Sequence, residues 1–113
     1  KKNVEVDLAP FGIVGLETAL SLCIRTLIEP GHLTWMQLID KLTTGPARIL
    51  KLANKGTFRT GADADVTLFH PEEQWTVDVK RFKTQSKNSP FAGWEMRGKI
   101  KTVVVNGQSR HLD

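Results

Sequence analysis

The sequence predicts a chain in two parts, a helical first half followed by a second half of short β-strands. Two observations lead to this division. Apolar residues recur at spacings of three and four along the first half, as on the buried face of a helix. After Asn54, short runs of β-branched and aromatic residues between turn residues replace that pattern. A length of 113 residues suits one small domain, or a piece of a longer protein.

Three helices are expected in the first half. The first should extend from Leu16 to Ile28, where apolar residues surround most of the helix and predict burial on most sides, and Pro30 should end it. Thr34 and Gln37 have the spacing of a capping box, which predicts the start of a second helix. A short third helix should begin around Pro46, because proline is tolerated in a first helical turn.

Short strands are expected in the second half, at residues 66–69, 75–77 and 100–105. Asn106 and Gly107 follow the last of these and form the pair most typical of a tight hairpin turn. Between the strands, residues 84–93 are rich in Ser, Asn, Lys and Gly, which predicts an ordered loop. The predicted strands are too few to close a sheet by themselves.

The net charge of +4 is concentrated towards the C-terminus. Residues 80–113 contain eight Lys or Arg against two acidic residues, a balance of +6 that leaves −2 for the rest. Phe91 and Trp94 lie among these cations, as stacking residues do in single-strand-binding proteins. Lys99 and Lys101, however, alternate as on a solvated strand face or a charged sheet edge. The pattern therefore favours a strand, and a free-standing nucleic-acid-binding domain is the disfavoured alternative.

Composition also bears on the compartment. No window of about 18 apolar residues exists, so we expect no membrane span. The first residues carry two lysines without a following apolar segment, which does not fit a secretory signal. A single cysteine allows no internal disulfide. We expect a cytoplasmic protein.

The residues most often used in catalysis show no motif of their own. Three histidines lie in unrelated segments without metal-ligand spacing: His32, His70 and His111. Cys23 lies on the apolar stripe of the first helix and is expected to be a buried core residue. Asp63 and Asp65 precede a predicted strand and are expected to accept hydrogen bonds from a turn rather than to act in catalysis.

The run Ala9–Thr18, APFGIVGLET, strongly resembles the segment after the last barrel strand in bacterial dihydroorotases. Further stretches resemble that family in the same order: 41–50 (KLTTGPARIL), 55–69 (KGTFRTGADADVTLF), 86–93 (SKNSPFAG) and 99–107 (KIKTVVVNG). The G-x-x-A-D pattern recurs throughout the cyclic amidohydrolases, including dihydropyrimidinases and allantoinases. PFGIVGLET together with SKNSPF is much more specific to dihydroorotases.

The resemblance implies a fold of the class α/β plus β, as part of a larger chain. Residues 1–53 would form the end of a metal-binding (β/α)8 barrel, comprising the loop after its eighth strand and the terminal helices. Residues 54–113 would form the C-terminal part of a small composite β-sandwich.

The activity implied by the resemblance is that of a zinc-dependent dihydroorotase, which interconverts N-carbamoyl-L-aspartate and L-dihydroorotate in de novo pyrimidine biosynthesis. The family's zinc ligands would lie upstream of Lys1, so we assign no metal ligand and no catalytic residue within this chain. Expected partners are the small-molecule substrate, the missing N-terminal part of the same protein, and a second copy or aspartate transcarbamoylase. Two alternatives stay open, an inactive dihydroorotase-like structural subunit and another cyclic amidohydrolase of the dihydropyrimidinase or allantoinase type.

Substrate contact is implied for Phe11 and Gly12, with Pro10 shaping the approach of the loop. A glycine lets a main-chain N–H come close to an anion or a ring carbonyl, because no Cβ stands in the way. Active sites of barrel enzymes lie on the loops that follow their strands. The alternative is a tight turn that only packs Phe11 into the core.

Overall fold

The computed structural model describes Glu5, Leu8–Ala9 and residues 11–112. Within these residues the helices come first: α1 (Ala19–Cys23), a π-helical turn (Ile24–Ile28), α2 (Trp35–Leu42) and α3 (Thr44–Ile49). The strands follow as β1 (Val66–Thr76), β2 (Glu95–Val105) and β3 (Gln108–His111), with a 3-10 turn at Val79–Arg81 between the first two. The order of helices and then strands agrees with the sequence pattern.

The first helix is less regular than expected. Leu16 lies in a turn before α1, and after Cys23 the helix continues as a π-helix in which the Glu29 N–H donates to the Ile24 carbonyl at 2.9 Å. Burial on most sides stays a prediction for the longer protein, since the described residues cover only part of this segment. Ile24 is fully buried, whereas 87% of Leu16 is exposed, because these residues supply cover for one side of the helix only.

The next two helices begin where the sequence predicts. Thr34 caps α2 with the expected capping box: its Oγ1 accepts from the Gln37 N–H at 3.3 Å, and its own N–H donates to Gln37 Oε1 at 2.9 Å. Pro46 lies in the first turn of α3, as predicted. No helix in the described part of the chain is long and apolar enough to cross a membrane.

The predicted strands at 66–69 and 75–77 are wrong as separate elements, since residues 66–69 and 75–76 belong to the single strand β1 and Val77 lies just after it. The pairing of β1 with β2 shifts register between His70 and Gln74, where Pro71 has no N–H to donate to the ladder. The sheet therefore accommodates an irregularity at this point instead of ending there.

The sheet has the order β1-β2-β3, with antiparallel neighbours. Asn106 and Gly107 form the predicted turn between β2 and β3, with φ of 55° and 76°. The expectation that Lys99 and Lys101 mark a sheet edge is wrong, because β2 is the central strand. Lys101 instead binds Glu73 of β1 at 2.8 Å, and this hydrogen bond lowers the pKa of the Glu73 carboxyl.

Helix and sheet meet at Gly98. The Gly98 carbonyl accepts from Ser21 Oγ at 2.6 Å and from Trp75 Nε1 at 3.0 Å. With a φ of 88°, Gly98 also brings β2 so close to the helix that a Cβ there would overlap the Ile24 side chain. Beside this junction lies a core of Val77, Phe82 and Met96. Partly buried residues that pack against the core are Val14, Leu22, Trp75, Val79 and Phe91.

Candidate substrate-contacting loop

Residues 11–14, here called the Gly12 loop, lead from the N-terminal segment into the core. Phe11 is fully exposed, at 103% of its reference area, so the alternative in which it packs into the core is wrong for the described residues. Gly12 has a φ of 73°, and a Cβ built on it would meet nothing within 4 Å. Val14 packs against the core and anchors the end of the loop. Pro10 lies outside the described residues.

The predicted polar loop at 84–93 lies against the Gly12 loop, and together with Lys83 it is here called the Asn88 loop (residues 83–93). Asn88 Nδ2 donates to the Gly12 carbonyl at 2.7 Å. The Val14 N–H donates in return to the Asn88 main-chain carbonyl at 2.9 Å. The structure thus brings together residues from two of the stretches on which the family resemblance rests, PFGIVGLET and SKNSPF.

Glu17, which lies outside the Gly12 loop, holds the start of the Asn88 loop. Its Oε1 accepts from the main-chain N–H of Lys83 at 2.9 Å and from that of Thr84 at 3.4 Å. Lys87 holds the same segment from within, since its Nζ donates to the carbonyls of Phe82 at 2.6 Å and Thr84 at 2.8 Å. The Asn88 loop is therefore held by hydrogen bonds from Glu17 and Lys87 that do not involve the Gly12 loop.

Two main-chain donors of the Gly12 loop are unused within the described chain. The N–H groups of Gly12 and Ile13 form no hydrogen bond with any residue that the structure describes. The same short segment contains a glycine whose Cβ position is open and a phenylalanine whose ring is exposed. Within the described residues it thus combines unpaired donors with an apolar side chain, which suits a small molecule that carries carbonyl or carboxylate oxygens.

Sequence reasoning found the Gly12 loop through its motif and missed Glu17 and Asn88. The hydrogen bond from Asn88 to Gly12 joins positions 76 apart, and no local pattern predicts such a contact. The resemblance identified both stretches separately. Their shared specificity to one family was the available sign that they could lie together.

The histidines serve in local contacts. His70 Nδ1 accepts from the Glu72 N–H at 3.2 Å, and His111 Nδ1 lies 2.9 Å from Thr102 Oγ1, while His32 is exposed. In Glu5, Leu8–Ala9 and residues 11–112, no group of three or more His, Cys, Asp or Glu could hold a metal ion. Cys23, expected to be buried, is a free thiol of intermediate exposure.

The turn prediction is confirmed for Asp65, whereas the Asp63 carboxylate is bound by the Lys55 side chain. Asp65 Oδ1 accepts from the Asn106 N–H at 2.9 Å, which ties the segment before β1 to the β2–β3 turn. Lys55 Nζ binds both Asp63, at 2.9 Å, and Asp65. The hydrogen bond from Lys55, and next that from Asn106, lower the pKa of Asp65, and the same two aspartates raise the pKa of Lys55.

The aromatic residues near the cationic segment contact one another. Phe91 and Trp94 meet edge to face, with ring centroids 5.3 Å apart. The Arg25 guanidinium lies 4.9 Å from the centroid of the Trp94 ring. Trp94 thus contacts Phe91 and Arg25 within the chain, so its place among the cations is explained without stacking on a nucleic-acid base.

The amidohydrolase family model matches residues 9–110, almost the whole chain. The chain belongs to the amidohydrolase family. Among curated relatives of this amidohydrolase chain, the dihydroorotase of Acetivibrio thermocellus is 49% identical over 107 residues, 95% of the chain. The dihydroorotase of Clostridium acetobutylicum is 44% identical over 113 residues, 100% of the chain.

Solved structures of the same fold include hydantoinases. The amidohydrolase chain matches the D-hydantoinase (dihydropyrimidinase) of a Thermus species with a TM-score of 0.81 and 27% identity over 93% of its residues. It matches the L-hydantoinase (dihydropyrimidinase) of Arthrobacter aurescens with a TM-score of 0.82 and 28% identity over 93%. The chain spans about a quarter of each relative, between 23% and 26% of their lengths.

Proposed function

We propose that this chain is the C-terminal part of a dihydroorotase, which interconverts N-carbamoyl-L-aspartate and L-dihydroorotate in pyrimidine biosynthesis. The observation that carries this proposal is the 49% identity to a dihydroorotase over 95% of the chain. The hydantoinases of the same fold are 27–28% identical.

The Gly12 loop supplies the chain's contribution to the substrate site. Phe11 and Gly12 contact the substrate, and Pro10 shapes the approach. The N–H groups of Gly12 and Ile13, which form no hydrogen bond with any described residue, support this role, since dihydroorotate is a ring with carbonyl oxygens and an ionised carboxylate. The absence of a Cβ at Gly12 leaves room for such a ring at van der Waals distance from the main chain.

A zinc ion is part of the proposed activity, but the described residues do not fit one, since none of their His, Cys, Asp and Glu side chains form a group of three. The ligands would come from the rest of the protein, and no step of the reaction is assigned to the metal here. We further propose that residues 1–53 complete the (β/α)8 barrel and residues 54–113 the β-sandwich. The protein would be cytoplasmic and would assemble with itself or with aspartate transcarbamoylase.

A second candidate is a hydantoinase or dihydropyrimidinase, which the TM-scores of 0.81 and 0.82 support. The substrates of these two classes share a cyclic amide and differ at the ring substituent, since dihydroorotate carries a carboxylate that hydantoin and dihydrouracil lack. An inactive dihydroorotase-like subunit has the same sequence features within this chain.

Turnover by the full-length, zinc-supplemented protein separates these candidates. We expect kcat/KM for dihydroorotate to exceed that for dihydrouracil and hydantoin by about a thousandfold or more, because a site built to bind a polar group strongly rejects an analogue without it. A higher kcat/KM for hydantoin or dihydrouracil than for dihydroorotate would identify the protein as a hydantoinase or dihydropyrimidinase. Absence of turnover on all three, with zinc bound, would assign a structural subunit.

A further inference from the structure

The contact between Asn88 and the Gly12 loop has two points. Asn88 Nδ2 reaches the Gly12 carbonyl at 2.7 Å, and the Asn88 carbonyl receives the Val14 N–H at 2.9 Å. The two hydrogen bonds therefore enclose residues 12–14 and fix both ends of this short segment against one residue of the Asn88 loop.

The position that Asn88 fixes is the one with the greatest conformational freedom. Glycine populates positive and negative φ about equally, so nothing intrinsic to Gly12 selects its φ of 73°. The next anchored residue is Val14, two positions on, in the core. Without the Asn88 amide, the contacts of the described residues would hold Gly12 and Ile13 only at the Val14 end.

Holding the Gly12 carbonyl also sets the direction of the next N–H. The described part of the chain contains no cis peptide bond, and in a planar trans peptide the C=O and N–H point in opposite directions. Because the Gly12 carbonyl faces Asn88, the Ile13 N–H of the same peptide points away from the Asn88 loop. This N–H is one of the two free donors of the Gly12 loop.

We propose that Asn88 is a positioning residue of the substrate site, which acts by holding the Gly12 loop with its free N–H groups aimed at the substrate. This inference rests on the proposed function of the Gly12 loop and adds the residue that orients it. Asn88 can do this because the Asn88 loop is fixed independently, by Glu17 on the main-chain N–H of Lys83 and by Lys87 on two carbonyls.

The test uses the full-length enzyme with Asn88→Ala and Asn88→Asp. Alanine removes the donor, and aspartate keeps the shape but directs a carboxylate oxygen at the Gly12 carbonyl. We expect both to raise KM for dihydroorotate about tenfold and to leave kcat within about twofold, because the loop binds groups that do not react. Gln85→Ala is the matched control, since Gln85 lies in the same loop and forms no hydrogen bond with any described residue.

Hydrogen exchange gives a readout that does not depend on turnover. Peptides that contain Val14 should exchange faster in Asn88→Ala than in the wild type, and at the wild-type rate in Gln85→Ala. If the wild type turns over dihydroorotate but Asn88→Ala shows an unchanged KM or an unchanged exchange rate, the role of Asn88 is wrong and the proposed function stands. A wild type that binds zinc and turns over no dihydroorotate overturns the proposed function, and the substrate role of Asn88 with it.

Discussion

Gly12 and Gly98 share a positive φ and differ in their surroundings. A Cβ on Gly12 would stand in open space, whereas one on Gly98 would overlap the buried side chain of Ile24. Gly98 is therefore required by the packing of helix on sheet. Nothing in the described packing requires Gly12, so its positive φ is the one structural reason for glycine there, and the proposed substrate contact would be a second.

Gly12→Val in the full-length enzyme should raise KM for dihydroorotate about tenfold or more, because the added side chain fills the space next to the main-chain donors and one lost charge-assisted hydrogen bond is worth about 1.5–3 kcal/mol. Gly61→Val is the matched control, since Gly61 also has a positive φ and open space but lies outside the Gly12 loop. Steady-state kinetics of both variants would be compared. Equal KM values in Gly12→Val and Gly61→Val would show that Gly12 serves only as a turn residue.

Gly98→Ala should lower the free energy of unfolding by about 2–5 kcal/mol, since a left-handed φ costs about 1–2 kcal/mol and overpacking about 1–3 kcal/mol. Gly93→Ala provides the comparison, because Gly93 has a φ of 78° and a Cβ there would meet nothing within 4 Å. Gly93→Ala should lose only the stability that the left-handed φ costs, because its Cβ meets no neighbour. Urea denaturation of the full-length variants measures the difference, and equal losses would show that Ile24 moves aside freely.

Residues whose roles depend on neighbours in sequence can be predicted, and residues whose roles depend on distant contacts cannot. Gly12 was found because its neighbours form a continuous motif. Gly98 and Asn88 act through contacts with Ile24 and Gly12, whose positions are distant along the chain. Single-residue roles that depend on tertiary contacts leave no local pattern.

Among the elements, the β2–β3 hairpin is tied to the segment before β1. Asp65 accepts the Asn106 N–H at 2.9 Å, and the Gly107 N–H donates to the Ala64 carbonyl at 3.0 Å. Lys55 joins this connection through Asp65. The hairpin turn is therefore fixed from outside as well as by its own pair of turn residues.

The ion pair between Lys55 and Asp65 should make stability depend on pH. The pKa of Asp65 is lowered from 3.8, so its contribution is present above about pH 4 and is lost as pH falls through the folded pKa. The pKa of Lys55 is raised from 10.5, so its contribution is present below that value and is lost as pH rises through the folded pKa. The contribution is therefore complete between these limits.

Melting temperatures of the full-length wild type and Lys55→Met should accordingly differ most between about pH 5 and pH 9 and converge in acid and in strong base. Lys51→Met serves as the control, because Lys51 forms no ion pair with any described residue. A difference that stays constant across the range would show that Lys55 stabilises by packing and not by charge.

Elements with local signals were predicted well. The capping box of α2, the proline in α3 and the Asn106-Gly107 turn each depend on adjacent residues, and all three are present. The single long β1 and the central place of β2 were not predicted. Both follow from pairing between strands that are separated along the chain, which continues across Pro71 where the local pattern indicates a break.

At the scale of the whole chain, many large apolar side chains of the described residues are exposed. Examples with more than 70% exposure are Leu8, Phe11, Leu16, Met36, Ile49 and Phe58. The Cα radius of gyration is 16.1 Å, compared with about 13 Å for a compact domain of this length. These values fit a chain that spans only about a quarter of its relatives.

Residues 1–113 expressed alone should self-associate or fold only marginally, because each large apolar side chain left in water forgoes about 1.5–3 kcal/mol. With zinc added, this polypeptide should not turn over dihydroorotate. Sedimentation velocity and a dihydroorotate assay test both expectations. A monomer with a sharp, reversible unfolding transition would contradict the first, and turnover above the buffer rate would contradict the second.

The bond between Asn88 and Gly12 has a consequence for recombination between related enzymes. It joins a loop from the first half of the chain to a loop from the second, so a chimera with its crossover between α3 and β1 takes the two loops from different parents. On the role proposed for Asn88, such a hybrid keeps the Gly12 loop intact and loses the residue that orients it, unless the donor supplies an amide at position 88. Exchange of the terminal segment would then transfer part of the substrate affinity along with it.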